Sequence, residues 1–527
     1  MKKWMVVLMV SIGMRGNAQI TFQKTYGGIN VDHAYSVQQT TDGGYIMVGY
    51  TQLSANTTNV YLIKTNAYGD TLWTKTYGGT YDDQGYCVQQ TTDGGYIIVG
   101  ETQDFGAGWY DVYLIKTKSN GDTLWTRTYG GVNADLGVTV RQTTDGGYII
   151  SGHTANFGAP FHGWNSYLIK TDASGDTLWT KSYGNGAMFQ ELGDFVQQTN
   201  DGGYIISGSA ADTINTSPKI YLIKTNSFGD TLWTRTYGDT IWGEKGEGVQ
   251  QTNDGGYIIF CNNAHACLIK TNSNGDTLWT RSYGGSGGEI AFAGQQTTDG
   301  GYILAGYTTS FAAQYGNNIY LVKTNSNGDT LWSKTFGDYV VNSQDIATDV
   351  HQTTDGGYII TGYTATLGSG TMDIYLIKTD SLGNSGCHQW NPATVMSNYP
   401  TQVNWINSHV FNGGLIKSHL ANVGVGGTVY DLCSTEGINE ISPQPTISLY
   451  PNPFSTTATL LIRNYELGIR NGEVQIINLL GQEVKTIPII NQNEITINRD
   501  NLADGMYFYK IIGDKGESVA VGKMVIE

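Results

Sequence analysis

Four short apolar runs, each closed by polar turn residues, follow one another and then repeat along most of the chain. In the second full unit the first run is about Tyr86 to Thr91, the second Tyr96 to Thr102, the third Val112 to Thr117 and the fourth Thr123 to Tyr129. The YIIV of the second run is apolar on successive residues, which predicts a strand covered on both faces. Asp-Gly at 93–94 tolerates positive φ and predicts a tight hairpin between the first two strands. Asn120-Gly121-Asp122 predicts another between the third and fourth. The Asp of the DGGY core stands at 42, 93, 145, 201, 254, 299 and 355, so successive units are 51, 52, 56, 53, 45 and 56 residues apart. A period of this order with four strands per unit predicts propeller blades.

The ends of the repeat predict how it closes. ITFQKTYGG (20–28) matches the fourth run LWTKTYGG, with Phe22 where Trp73 stands. The seventh unit has Tyr375 to Lys378 but no fourth run. The spare N-terminal strand therefore completes the last blade and leaves no open edge. The predicted fold is all-β: a seven-bladed propeller of four-stranded blades, 19–383, followed by a small Ig-like β-sandwich. An open β-solenoid is the alternative, but it gives the spare strand no purpose.

Strand order puts the Asp-Gly-Gly and Asn-Gly-Asp turns on one face. The second-to-third loops and the connections between units share the other. Nearly all sequence variation lies on that second face, including Phe105, Trp109, Tyr110, Phe157, Phe161, His162, Trp164, Trp242, Phe311, Tyr315 and Tyr339. Varied loops on a rigid scaffold are how binding sites are commonly built. These aromatics suit stacking on sugar rings or gripping a peptide; they equally suit packing against neighbouring loops.

An acid precedes every first strand on that face: Asp32, Asp83, Asp135, Glu191, Glu244, Glu289 and Asp345. If the first strands line a channel, these form a carboxylate ring near its mouth, able to hold a cation such as Ca²⁺. The competing reading is that each satisfies backbone N–H groups where one unit passes to the next. Repeated Gln (39, 90, 142, 198, 251, 296, 352), third-strand Lys (64, 116, 170, 224, 270, 323, 378) and fourth-strand Lys or Arg (24, 75, 127, 181, 235, 281, 334) read as hydrogen bonds and ion pairs between blades. Six Asp-Thr-Leu triplets resemble a bacterial O-glycosylation sequon; as turn chemistry they need no sugar.

Composition sharpens the class. With 71 Gly, 12% aromatic and 14% charged residues, the chain of 527 suits a many-turned β protein and not a disordered one. A net charge of −16 disfavours nucleic acid as a partner. Lys2 and Lys3, the apolar run Trp4 to Met14 and Gly16-Asn17-Ala18 predict a secretory leader over 1–18, too short to span a bilayer. Export permits disulfides. Five cysteines leave at least one unpaired within the chain. Cys387 and Cys433 bracket a region (384–442) without the repeat, read as a linker or β-extension tied by a disulfide. Cys261 and Cys267 flank the shortest second-to-third loop and are placed to pair; Cys87 reads as a buried thiol.

The last stretch, 443–527, predicts a separate β domain. YPNPF (450–454), LLGQEV (479–484), the run Leu502 to Tyr507 and the terminal KMVIE (523–527) closely resemble the type A C-terminal sorting domain of the type IX secretion system. Pro451, Asn452, Pro453, Gly481, Gly505, Tyr507 and Lys523 carry that match. The resemblance implies export across both membranes, contact with the secretion machinery and its sortase, removal of the domain, and either attachment to surface lipopolysaccharide or release. The upstream units look like the DGGY-repeat propellers that accompany such domains, a likeness of fold and not of activity.

Three functions follow: a secreted or surface-anchored, monomeric binding module for glycan or protein; a polysaccharide hydrolase or lyase, endoglucanase-like; and a purely structural surface protein. Glycoside hydrolysis needs two carboxylates with separated pKa values. Asp104, Asp111, Asp194, Glu247, Asp349 and Asp373 are acids outside the repeated set, but none forms a signature. No HExxH, Walker loop or Cys/His metal cluster occurs. No catalytic residue or cofactor is assigned, and the binding reading leads.

Overall fold

A computed structural model describes residues 19–54, 57–157, 163–184, 191–211, 218–238, 243–398, 402–404, 409–411, 415–419, 422–424, 428–432, 446–450, 453–463, 471–478, 482–490, 494–513 and 518–526. The leader, 1–18, lies outside them. The described elements are all β-strands, and the chain divides into two compact units, 1–434 and 435–527.

The first unit holds seven antiparallel sheets. Sheet 1 is built from Asp32–Gln39, Tyr45–Ser54, Thr57–Thr65 and Thr71–Gly78, in that order, and sheets 2 to 6 repeat the plan. The hairpin turn explains the DGGY core. It is a five-residue loop, not a two-residue one, because Gln39 pairs with Tyr45. Asp42 accepts hydrogen bonds from Thr40 Oγ1 (2.5 Å) and the Gly44 amide (3.0 Å). Gly43 sits at φ +83°, where a side chain is strained, and a Cβ on Gly44 would meet the Thr65 carbonyl at 2.1 Å. Both glycines are therefore required, in every unit.

Sheets 1 to 5 each pack on the next through three repeated contacts, of which sheet 6 keeps only the first, Trp332–Tyr358, because Phe336 replaces the Tyr and Lys334 bonds Asn384 and Asn391. The fourth-strand Trp meets the next sheet's Tyr, as in Trp73–Tyr96 (6.0 Å between ring centres) and Trp125–Tyr148 (6.1 Å). The fourth-strand Tyr hydroxyl donates to a glycine carbonyl of the next turn, as in Tyr77 to Gly121 (2.6 Å). The fourth-strand cation reaches the same turn, as in Lys75–Asp122 (3.2 Å). The third-strand lysines behave differently from the expected inter-blade pairs. Each bonds the turn Asp of its own sheet, from Lys64–Asp42 (2.9 Å) to Lys378–Asp355 (2.9 Å), because that Asp lies directly across the hairpin.

Sheet 7 is Asp345–Gln352, Tyr358–Thr364, Asp373–Thr379 and then Phe22–Gly27, the strand from the start of the chain. Phe22 pairs with Lys378 and Tyr26 with Ile374. Phe22 stands edge-on to Tyr45 of sheet 1 (6.0 Å between ring centres), the Tyr26 hydroxyl donates to the Gly69 carbonyl (2.6 Å) and Lys24 pairs with Asp70 (2.7 Å). Sheet 7 thus contacts sheet 1 as sheets 1 to 5 contact their successors, with Phe22 in place of the Trp. The Gln39 side chain adds to the seam by accepting the Thr354 amide (2.8 Å).

The sheets are five-stranded, where four strands were expected. The fifth comes from the region read as a linker. Gln389–Trp390 joins sheet 6, Val395–Ser397 sheet 5, Gln402–Asn404 sheet 4, His409–Phe411 sheet 3, Leu415–His419 sheet 2, Asn422–Gly424 sheet 1 and Thr428–Asp431 sheet 7. The segment runs backwards past every sheet as a strap, pairing each time with the fourth strand and covering its free edge. Its apolar residues Met396, Val403, Val410, Ile416, Val423 and Val429 fall opposite Tyr283, Tyr237, Tyr183, Tyr129, Tyr77 and Tyr26. A step of six or seven residues spans about 20–25 Å of extended chain, enough to pass from one sheet edge to the next. Both ends of the strap meet at Gln23, which is fully buried. Its side chain bonds Ser385 (2.6 Å) and the Cys387 carbonyl, and its own carbonyl accepts the Leu432 amide (2.7 Å).

Cys261 and Cys267 face each other on neighbouring strands and form a disulfide (Cα–Cα 4.8 Å). Cys87 is a buried free thiol. Cys387 is disulfide-bonded; its expected partner, Cys433, lies outside the described residues. Five of the Asp-Thr-Leu hydroxyls, on Thr123, Thr177, Thr231, Thr277 and Thr330, are buried, so the folded chain does not offer them for glycosylation.

The second unit has a three-stranded sheet (Thr446–Tyr450, Thr457–Arg463, Glu494–Asn498) and a four-stranded sheet (Glu483–Ile490, Asn471–Ile477, Gly505–Ile512, Ser518–Ile526). One core joins them, with Leu460, Ile495 and Ile497 from the first and Val474, Ile476, Ile511 and Met524 from the second.

A strap held by a disulfide should fail when that bond is removed. Cys387→Ser is expected to lower unfolding free energy by about 2–4 kcal/mol in denaturant titrations. The Cys261→Ala/Cys267→Ala pair closes only a short loop and should cost less; equal losses would contradict a strap-closing role.

Candidate functional site

The first strand of every sheet carries a β-bulge at one position. Pairing skips Tyr35, Tyr86, Val138, Asp194, Glu247, Phe292 and Thr348. A bulge re-aims a side chain, and here the aimed side chains include Tyr, Val, Asp, Glu, Phe and Thr. All seven line one cavity of about 470 Å³ that touches the first strand of every sheet. This volume lies in the range of ligand sites.

One wall is aromatic. The His33 ring stacks between Tyr363 (4.0 Å) and Tyr50 (5.0 Å), and Tyr35 lies against Tyr50 (6.0 Å) and Tyr86 (5.1 Å). Burial pushes His33 down to about 4, so it is neutral at pH 7.

Another wall is charged. Asp194 accepts from His153 Nε2 (2.8 Å), and Lys245 Nζ lies 3.5 Å from Asp194 and 3.3 Å from Glu247. Asn262 donates to Glu247 (3.0 Å). Burial pushes Glu247 up to about 7 despite Lys245. Burial also acts on Asp194, but the His153 hydrogen bond and the Lys245 charge outweigh it and hold that carboxyl below its usual range. Two neighbouring acids thus differ in protonation.

Between these walls Arg141 Nη1 lies 2.9 Å from Cys87 Sγ, and Asp349 accepts the Val37 amide (2.9 Å) and lies 3.4 Å from His351. Arg141 and His351 replace the glutamines that in other sheets bond the next first strand, as Gln38 accepts the Gln90 amide (2.6 Å).

The loop aromatics singled out from sequence lie elsewhere. Trp109 and Tyr315 are 80% and 79% exposed, Phe157 packs on Tyr167 (5.6 Å), and the Tyr110 carbonyl accepts the Asp135 amide (2.8 Å). Trp164 stands edge-on to His153 (6.2 Å), behind the charged wall. Phe161, His162 and Trp242 lie outside the described residues. Asp32, Asp83 and Asp135 are buried and accept the amides of Gly28 (2.8 Å), Gly79 (2.9 Å) and Gly131 (2.8 Å). Glu289 bonds Gly285 (3.1 Å) and His265 (2.7 Å), Asp345 bonds the Asp338 amide (3.1 Å), and Glu244 is buried. None of these six lines the cavity. The strand of Glu191 is described, its side chain is not.

Sequence reading overlooked the bulge row. The available signal was the second residue before Val37 and its equivalents, which changes in every unit but the first two, between a constant small residue and a nearly constant Gln pair. The residue after the YIIVG glycine changes too: Tyr50, Glu101, His153, Ser209, Tyr307 and Tyr363.

In the second unit Tyr507 donates to the Ala503 carbonyl (3.0 Å) and Gly505 has φ +145°. Pro453 is exposed and Lys523 lies in the last strand. Pro451, Asn452 and Gly481 lie outside the described residues. Residues 448–527 match the family model of the secretion system C-terminal sorting domain. No curated protein matches the chain. Among solved structures, a protein of unknown function from Bacteroides caccae is similar at 12% identity and TM-score 0.32, covering 54% of this chain and 92% of that one. The sorting domain makes this a protein exported by the type IX secretion system, secreted or held at the cell surface.

The buried acids give a pH signature. Burial raises Asp83 to about 8 and Asp345, Glu101 and Glu247 to about 7, from ordinary values of 3.8 and 4.5. Their contribution is complete below the unfolded values and is lost as pH rises through 7 to 8. His33 opposes this between about 4 and 6.5. The turn acids Asp93, Asp201 and Asp254 are raised by burial but lowered more by their threonine and lysine partners, to about 2, and lose stability only as pH falls towards that value. In metal-free buffer the melting temperature should be higher at pH 5 than at pH 8; a rise between them would refute these assignments.

Proposed function

We propose that this exported chain is a secreted or surface-held binding protein whose seven sheets are the blades of a closed β-propeller and whose central cavity takes a small polyhydroxyl ligand, such as the end of a glycan. Residues 19–383 form the propeller on this reading, 384–442 the strap and its exit, and 443–527 an Ig-like sorting domain that engages the secretion machinery and its sortase before lipopolysaccharide attachment or release. The pairing of Phe22–Gly27 into sheet 7 and the sheet 7 to sheet 1 contacts support closure.

One observation carries the binding assignment. Within a lattice of repeated residues, the bulge position carries Tyr, Val, Asp, Glu, Phe and Thr in different sheets, and all seven of its side chains line one cavity, to which they bring aromatic rings and carboxylates. Sugar rings offer both partners such walls need: C–H faces for stacking and hydroxyls that donate to carboxylates. A second reading, glycoside hydrolysis, is favoured by the split protonation of Glu247 and Asp194, an acid beside a carboxylate. Lys245 between them makes an ion-paired binding wall the better account.

Glycan arrays followed by calorimetry test this. Tyr35→Ala, Tyr363→Ala and Asp194→Asn should each weaken the best ligand about tenfold, or ~1.4 kcal/mol, while Trp109→Ala and Tyr315→Ala leave it unchanged. The reverse pattern would move the site to the exposed loops. Release of reducing ends that stops in Glu247→Gln would establish the hydrolase instead.

A further inference from the structure

Two of the seven sheets share a pair of motifs that the other five lack. In sheet 2 the second-to-third loop reads GAGWYD (106–111) and the connection onward reads GGVNAD (130–135). In sheet 7 the same places read GSGTMD (368–373) and GGINVD (27–32). The structure brings each pair of motifs together at a sheet boundary.

At the boundary of sheets 7 and 1, Asp373 is 1% exposed. Its Oδ2 accepts the Gly370 amide (2.8 Å), while its Oδ1 is buried without a hydrogen-bond partner. That oxygen faces Asp32: the two oxygens, Asp373 Oδ1 and Asp32 Oδ2, lie 2.2 and 2.8 Å from the point where a Cβ would stand on Gly27. Around the equivalent point on Gly370 stand the carbonyl oxygens of Gly28 (2.7 Å) and Asn30 (2.6 Å), with Asp373 Oδ1 at 3.4 Å.

The boundary of sheets 2 and 3 repeats this construction. Asp111 Oδ2 accepts the Ala107 (2.8 Å) and Gly108 (3.0 Å) amides. Its Oδ1 and Asp135 Oδ2 lie 2.0 and 2.7 Å from the Cβ point of Gly130, and the Gly131 and Asn133 carbonyls lie 2.6 and 2.5 Å from that of Gly108.

Each place gathers two carboxylates and two carbonyls, with a glycine keeping the space open; at the boundary of sheets 2 and 3 the Asn156 amide also donates to Asp135 Oδ2 (2.5 Å) and the Asn133 carbonyl (3.0 Å), contacts an ion would have to displace or share. Burial and the facing carboxylate each raise Asp135 and Asp373, so the pairs repel as they stand. A hard divalent cation removes that repulsion, and Ca²⁺ takes 6–8 oxygen ligands with water completing the set. Among the described residues no three His, Cys, Asp or Glu side chains gather for a metal, so these sites draw on the backbone instead. We infer that the chain binds two Ca²⁺ ions, one between Asp111 and Asp135 and one between Asp373 and Asp32. The second ion would clasp the seam where the first and last sheets meet. Each ion belongs to one sheet boundary and not to a shared ring around the cavity.

The test uses the full chain. Dialysed against about 5 mM CaCl2, above the roughly 10⁻⁴–10⁻³ M range of extracellular calcium modules, it should retain two ions and melt several degrees higher than in EDTA. Asp111→Asn and Asp373→Asn should each remove one ion. Tb³⁺ luminescence, sensitised by the neighbouring Trp109, should persist in Asp373→Asn and be lost in Asp111→Asn. Should the variants not fold, wild-type stoichiometry and the wild-type terbium signal decide. Uptake of a single ion overturns the site whose substitution leaves uptake unchanged. No uptake, with equal melting in Ca²⁺ and EDTA, overturns both and leaves each pair sharing a proton.

Discussion

An unpaired strand edge is a row of exposed N–H and C=O groups, and a chain that builds seven sheets creates fourteen such edges. The first strands turn theirs towards the shared cavity. The fourth strands face outward, and the strap pairs with each of them in turn. The same constraint explains the start of the chain. Without Phe22–Gly27, sheet 7 would end at Asp373–Thr379, with neither an aromatic ring for Tyr45 nor an edge for Thr428–Asp431. Gln23 sits where these demands meet, bonding the beginning and the end of the strap from one buried side chain.

The remaining contacts are a lattice of repeated parts. Tyr hydroxyls reach glycine carbonyls of the next turn, fourth-strand cations reach its Asp, and the glutamines bond forward and back between first strands. Each bond is modest alone, at about 0.5–1.5 kcal/mol. Their repetition holds the first strands in a common register, and the register places the seven bulges at one level. A bulge removes its residue from the ladder, so that residue is free to vary without disturbing pairing. This is how a monotonous repeat presents Tyr35, Asp194, Glu247 and Phe292 to a single cavity.

The acids at the head of the first strands show a second use of one repeated position. Asp83 and Asp345 are buried and held near neutrality by desolvation, each answering an amide of its own connection. Asp32 and Asp135 answer such amides too, and there the preceding sheet's second-to-third loop also brings the Asp373 and Asp111 carboxylates against them. The difference arises from six loop residues, not from the acid itself.

Much of the fold was legible in the chain. The DGGY period, the apolar YIIV run and the glycines of the turns specify local strands and hairpins, because φ above zero and burial on both faces are local demands. The likeness of ITFQKTYGG to LWTKTYGG even identified the strand that completes sheet 7. The strap was not legible: strands of two to five residues carry too little pattern, and Met396 or Val423 acquire a period only when set against Tyr283 and Tyr77. Nor was the cavity, since Asp194 and Glu247 are 53 residues apart in sequence and become neighbours only through Lys245 once adjacent sheets pack. Local geometry is written in neighbouring residues; which side chains share a wall depends on how the sheets stack, and that is decided by the whole lattice at once.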